Sequence, residues 1–176
     1  MVIAEKIKIF AAMTNPIIPD KEKIFQIASE DDFNRCALDV FMYQVKNNLV
    51  YEQFLKLIKI NPENVTHWTK IPYLPVELFK NHKIISTAKE AEIVFSSSGT
   101  SGGFTSHHFV ADVSVYKRSL LEGFKFFYGS PEKYIFLALL PSYLEREGSS
   151  LVYMMHELIK KSGNSNGGFY LSNVED

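Results

Sequence analysis

The sequence predicts an α/β fold: N-terminal helices followed by a mostly parallel sheet with flanking helices. Two patterns carry this expectation. Helical periodicity runs through residues 1–65, and from 66 to 176 short β-branched or apolar runs alternate with amphipathic segments. Composition agrees with a packed chain. Of 176 residues, 46% are apolar and 22% charged, with 14 Phe and 9 Tyr available for a large aromatic core. The two stretches are expected to form one structural unit.

The elements follow in order. "SEDDFNRCALDVFMYQVKNN" opens on Ser29, with Asp32 three residues on as the partner in a capping box. Phe33, Ala37, Val40, Phe41 and Val45 then recur at helical spacing. "LVYEQFLKLIKI" is a second periodic segment, and Asn61-Pro62 stops it. "HWTKIPYLPVELFKNH" contains Pro72 and Pro75, so it reads as an irregular crossing with one helical turn at Val76–Lys80. Trp68 anchors that crossing.

Alternation begins next. "KIIST", "AEIVF" and "HHFVA" read as strands. Asp112 can cap a helix whose inner face is Val113, Tyr116, Leu120, Phe124 and Phe127. "KYIFLALLP" is a continuous apolar run, expected of a strand buried on both faces. "SSLVYMMHELIKKSG" has Ser149 or Ser150 as cap, a stripe of Leu151, Met154/Met155 and Leu158, and Gly163 as terminator. "GGFYL" is the last strand.

Charge and cysteine content exclude several classes. Net charge is −1 with acids and bases interleaved, which gives no electrostatic footprint for nucleic acid or anionic lipid. The single Cys36 rules out an internal disulfide and reads as apolar filler in its helix. Glu5, Lys6 and Lys8 interrupt the N-terminus where a signal peptide needs an apolar region. Tyr134 to Leu140 is too short to span a bilayer. A cytoplasmic protein without a transmembrane segment is the expectation. No His/Cys/Asp cluster has metal-ligand spacing.

Between two strand-like stretches lies "VFSSSGTSGGFTSHHFV", residues 94–110, and three readings compete for it. A Ser/Gly run can be a flexible connection. Gly99-Thr100-Ser101-Gly102-Gly103 also satisfies G-x-S-x-G, the nucleophile elbow of serine hydrolases, but an elbow needs a helix directly after it and a strand follows here. The third reading is a phosphate cradle, in which glycines bring backbone N–H groups close and hydroxyls add donors.

"SSSGTSG" resembles the Thr-Ser-Gly-Thr-Thr-Gly core of the acyl-adenylate-forming superfamily, which includes acyl-CoA synthetases and phenylacetate-CoA ligases. "WTKIPYLPVELFK" before it, and "LLPSYLEREGSSLVYMMHELI" and "GGFYL" after it, narrow the resemblance. Together, over roughly residues 66–172, they are similar to the acyl-protein synthetases of the LuxE type, luciferin-component ligases of the bacterial fatty-acid reductase system. The resemblance implies ATP and Mg²⁺ as cofactors and a fatty acid or other carboxylic acid as substrate. An acyl-adenylate would form and the acyl group would pass to a thiol, with an acyl-acceptor or reductase protein as partner.

Carried over by position, Ser97, Ser98, Gly99, Thr100, Ser101 and Gly102 would surround the ATP phosphates. Pro141, Ser142 and Tyr143 would line the acyl pocket, against the plainer reading of a strand-to-helix turn. Where the superfamily loop continues into Pro-Lys-Gly, this chain has Gly103-Phe104-Thr105-Ser106. The phosphate-pairing lysine is missing, and His107 and His108 are its candidate replacements against a reading as one-in, one-out strand residues.

The family pattern continues past "GFYL", so the resemblance implies an N-terminal portion of such an enzyme, inactive alone. Two alternatives stay open: a non-catalytic remnant or interaction module forming a homo-oligomer, and a serine hydrolase.

Overall fold

Ser29 starts the longest helix as its sequence pattern requires. In the computed structural model, which describes residues 19–87, 89–97, 105–141 and 148–171, its hydroxyl accepts from the Asp32 N–H at 3.1 Å and donates to the Asp32 carboxylate at 2.7 Å. That hydroxyl, and then Arg35, hold the Asp32 carboxyl below its ordinary range. The described chain divides at Leu78 into two units: residues up to Leu78 with 84–87, and residues 79–83 with those from Lys89 onward.

The first unit is helical. A short α1 (Lys21–Ile24) precedes α2 (Glu30–Asn47) and α3 (Leu49–Leu57), with single 3₁₀ turns at Pro62–Asn64 and Trp68–Lys70. Asn48 alone joins α2 to α3. Its backbone N–H closes α2 on Gln44, and its buried side chain caps α3 by accepting from the Tyr51 N–H at 3.1 Å. Phe41, Tyr51 and Leu55 form the core, with Val45, Val65 and Ile71 packed around them. The Tyr51 hydroxyl donates to the Pro72 carbonyl at 2.6 Å and so ties the proline crossing to α3. Trp68 anchors the same crossing edge-to-face on Phe33, with ring centroids 5.3 Å apart, while its backbone N–H donates to Asn34.

α4 (Leu78–Asn81) lies where the chain passes between the units, and the second unit is mixed α/β. It contains β1 (Ile93–Ser96), β2 (His107–Val110), α5 (Val113–Tyr128), a 3₁₀ turn at Pro131–Lys133, β3 (Leu137–Ala138), α6 (Ser150–Ser162) and β4 (Gly168–Phe169). β1 and β2 are antiparallel, Ile93 opposite Val110 and Ser96 opposite His107. β3 and β4 are parallel, joined through α6 as parallel neighbours must be by a crossover. Asp112 caps α5 by accepting from the Ser114 N–H, and the Glu92 carboxylate accepts from the next free donor, the Val113 N–H, at 2.8 Å. Gly163, at φ +64°, ends α6 in the left-handed conformation that favours glycine.

The structure corrects the expected elements in four places, three in the sheet and one on the helices. Among the described residues the ladders are one antiparallel and one parallel pair, rather than one mostly parallel sheet. "KIIST" forms no ladder, although Ile84 within it is buried. The apolar run before Pro141 is buried on one side only. Ala138 faces inward, while Ile135, Leu137 and Leu139 are 52%, 63% and 69% exposed, the period-2 pattern of a strand with one bare face. On the helices, Phe127 and Leu151 are exposed. Phe124 serves the inner face of α5 through rings of Tyr134 and Phe136, and Val152 and Leu158 serve that of α6.

α5 and α6 meet over β1. Phe95 packs on Tyr116 and Tyr153 at 4.9 and 5.6 Å between centroids. Beside them, Lys117 reaches the buried Glu157 carboxylate at 2.5 Å, which raises the Lys117 pKa first through that hydrogen bond.

Burial, and then Tyr73, push the Tyr51 phenol from about 10 to about 12. Folding therefore favours the protonated ring. This contribution is intact below pH 10 and is lost as pH rises toward 12, at up to about 1.4 kcal/mol per pH unit. Tyr51→Phe should cost about 1 kcal/mol at pH 7 and show a shallower loss of stability over that alkaline window, measured by urea denaturation.

Candidate functional site

The hydroxyl-rich loop closes a β-hairpin, and the residues at its base define its mouth. The β1–β2 ladder continues one pair beyond the strands. The Ser97 N–H donates to the Ser106 carbonyl at 3.1 Å, and the Ser106 N–H donates to the Ser97 side-chain oxygen at 3.0 Å. A hydroxyl thus stands in for the backbone acceptor a regular ladder would use. The Ser97 oxygen is engaged as an acceptor and keeps one hydrogen to donate. Of the residues assigned to the phosphates, Ser97 stands at this mouth; Ser98, Gly99, Thr100, Ser101 and Gly102 lie outside the described residues.

The opposite edge of β1 is also held. The Ser96 N–H donates to the Gly148 carbonyl at 2.8 Å. Gly148 is at φ +79°, and a Cβ there would lie 3.2 Å from the Ser96 hydroxyl oxygen and 3.3 Å from the Val94 carbonyl. Backbone conformation and space both require glycine. Ser149 then caps α6 by accepting from the Val152 N–H at 3.4 Å, and the Tyr116 hydroxyl donates to the Ser150 carbonyl at 3.2 Å. Burial raises the Tyr116 phenol above its usual range, with the Ser150 bond opposing.

These contacts set the first turn of a 13-residue helix beside the base of the loop. Helix geometry leaves the Ser150 and Leu151 N–H groups without intrahelical acceptors, and the α6 dipole places partial positive charge there. The hairpin base and the start of α6 thus lie against the two edges of β1.

The elbow geometry is not what the loop leads into. A strand occupies His107–Val110, where an exposed nucleophile needs a helix. The two histidines depart from the one-in, one-out reading, since both are exposed. His108 stacks on Phe79 at 4.8 Å, and His107 lies 6.4 Å from the Phe109 ring, itself under Lys83. Pro141 is half-buried at the end of the β3 run; Ser142 and Tyr143 lie outside the described residues. The described segment after β3 meets β1 at Gly148.

Cys36 belongs to the other unit. It is half-buried in the wall of an open cavity of about 400 Å³ with Lys23, Arg35 and Asp39, and burial followed by Asp39 pushes its thiol up. Among the described residues no three His, Cys, Asp or Glu side chains converge as a metal cage, and no helix is long and apolar enough to cross a membrane.

Sequence reasoning missed Ser106 and Gly148. A glycine one residue before a serine helix cap was the available signal for the second; nothing in the strand pattern marked the first.

Gly148→Ala should lower stability by about 1–2 kcal/mol from the left-handed backbone alone, more from the contact with Ser96. Thermal or urea denaturation checks it, and an unchanged midpoint would contradict the close approach.

Comparison with protein-family models, with curated proteins and with solved structures finds no match to this chain, so its function is argued from the site itself.

Proposed function

We propose that the hairpin loop binds the phosphates of ATP, and that the chain is the N-terminal portion of an ATP-dependent acyl-protein synthetase of the acyl-adenylate-forming type. The observation that supports this most is the loop mouth. Ser97 and Ser106 close a glycine- and hydroxyl-rich loop, and the first turn of α6 stands against the same strand.

In the proposed reaction a fatty-acid carboxylate joins the α-phosphate and pyrophosphate departs; a thiol then takes the acyl group and AMP is released. The chain's contribution lies at the leaving group. Thr100 and Ser101 hydroxyls, loop N–H groups and the α6 terminus are the groups that would hold phosphate oxygens, and donors there would stabilise the charge that grows on a departing pyrophosphate. Mg²⁺, a hard cation, would be carried by the ligand's phosphate oxygens and would neutralise part of their charge. Pro141, Ser142 and Tyr143 remain the proposed acyl-pocket residues.

Titration of ATP and of pyrophosphate into the protein, followed calorimetrically, tests the reading. Saturable binding in the micromolar to millimolar range, lost in Thr100→Ala/Ser101→Ala, is expected. No saturable binding of either ligand would overturn it.

One observation favours a second reading, an interaction module that self-associates. Parallel strands are normally covered on both faces, and the Ile135/Leu137/Leu139 face of β3 is bare. A homo-oligomer by light scattering, dispersed by Leu137→Glu, would support it; a monomer at all concentrations would remove it.

A further inference from the structure

We propose that the end of the second unit where α5 and α6 stop docks on an anionic lipid surface, with Phe126, Phe127 and Tyr128 entering the interface and lysines meeting the headgroups. The proposal is independent of the hairpin loop.

Phe126, Phe127 and Tyr128 close α5, and they are 83%, 75% and 63% exposed. Scattered apolar residues on a surface are ordinary, but adjoining bare rings mark a contact. The Phe126 and Phe127 centroids lie 5.0 Å apart, and those of Phe127 and Tyr128 6.4 Å. Successive helical positions turn by about 100°, so the rings fan around the helix end rather than line a groove. Phe124 anchors them from within, packed on Tyr128, Tyr134 and Phe136. Two of the last α5 carbonyls are already bonded, Lys125 by the Gly129 N–H at 2.9 Å and Tyr128 by the Tyr134 hydroxyl at 2.6 Å. That lowers the cost of moving this helix end into a poorly hydrated layer.

Charge selects the partner. Acids and bases interleave along the chain, but the fold gathers lysines here. The Pro131–Lys133 turn packs against both α5 and α6, and Lys161 reaches the Glu132 carboxylate at 3.2 Å. Lys125 and Lys133 thereby stand at the same end as Lys160 and Lys161, all four exposed. Of the carboxylates, Glu132 is taken up by Lys161, whose hydrogen bond holds it below its ordinary range, and Glu122 lies one turn before Phe126. Lysines in a last turn also answer the helix dipole, but Lys133 lies outside both helices and no dipole requires bare rings. Aromatic side chains flanked by lysines fit the boundary between acyl chains and anionic headgroups. A second copy seated on the same end would set these lysines against their own kind.

Flotation of the protein with vesicles of equimolar phosphatidylcholine and phosphatidylglycerol, against phosphatidylcholine alone, tests the proposal. Wild type should float with the anionic vesicles and lose them as salt is raised. Phe126→Ala/Phe127→Ala should weaken binding about tenfold or more, and Lys133→Gln and Lys160→Gln about fivefold each. Urea stability should be unchanged in all of them, because the side chains are exposed. No flotation of wild type, or flotation undiminished in the phenylalanine variant, would overturn the proposal. Equal flotation on both vesicles would overturn the role of the lysines. A dimer by light scattering that Phe126→Ala/Phe127→Ala disperses, without vesicle binding, would assign the rings to a second copy and overturn it too.

Discussion

The second unit depends on how β1 is held from both edges. On one edge the Ser96 N–H bonds the Gly148 carbonyl; on the other, Ser97 and Ser106 exchange two bonds. The two sets are one residue apart, so the strand's pleat sends them to opposite sides. This double hold positions the loop mouth and the start of α6 together. It also brings Ser96 and Gly148, some fifty positions apart, together on one strand.

The packing beneath carries the same logic. Phe95, one residue before the Gly148 contact, inserts between Tyr116 and Tyr153, and the Tyr116 hydroxyl reaches the first carbonyl of α6. The Lys117–Glu157 pair then locks α5 to α6 one turn further on. With Glu157 buried and Lys117 partly solvated, the pair contributes register more than net energy. The α6 terminus is therefore set by aromatic contact, an ion pair and a glycine.

Much of this was legible in residue patterns. Ser29, Asp112, Ser149 and Gly163 cap the helices expected of them, because a cap is a local interaction between a side chain and N–H groups two or three residues on. The hairpin strands were legible from β-branched runs on either side of a glycine-rich break. What failed was non-local. An apolar run such as Tyr134 to Leu140 does not say whether one face or both are covered, and Leu151 and Phe127 sit at inward spacing on helices whose buried stripe is rotated away from them. In the site, the loop's chemistry was visible as composition. Ser106 and Gly148 were not, since the first acquires its role from cross-strand register and the second from a contact across the fold.

The central claim is that the hairpin mouth and the α6 terminus form one anion site. The most direct measurement is an amide ¹H–¹⁵N titration with pyrophosphate. Concerted, saturable shifts of the Ser97, Ser106, Ser150 and Leu151 amides, with a common dissociation constant, are the result this account predicts. Shifts confined to surface lysine segments such as Lys21–Ile24, or shifts of the hairpin amides without those of α6, would contradict it.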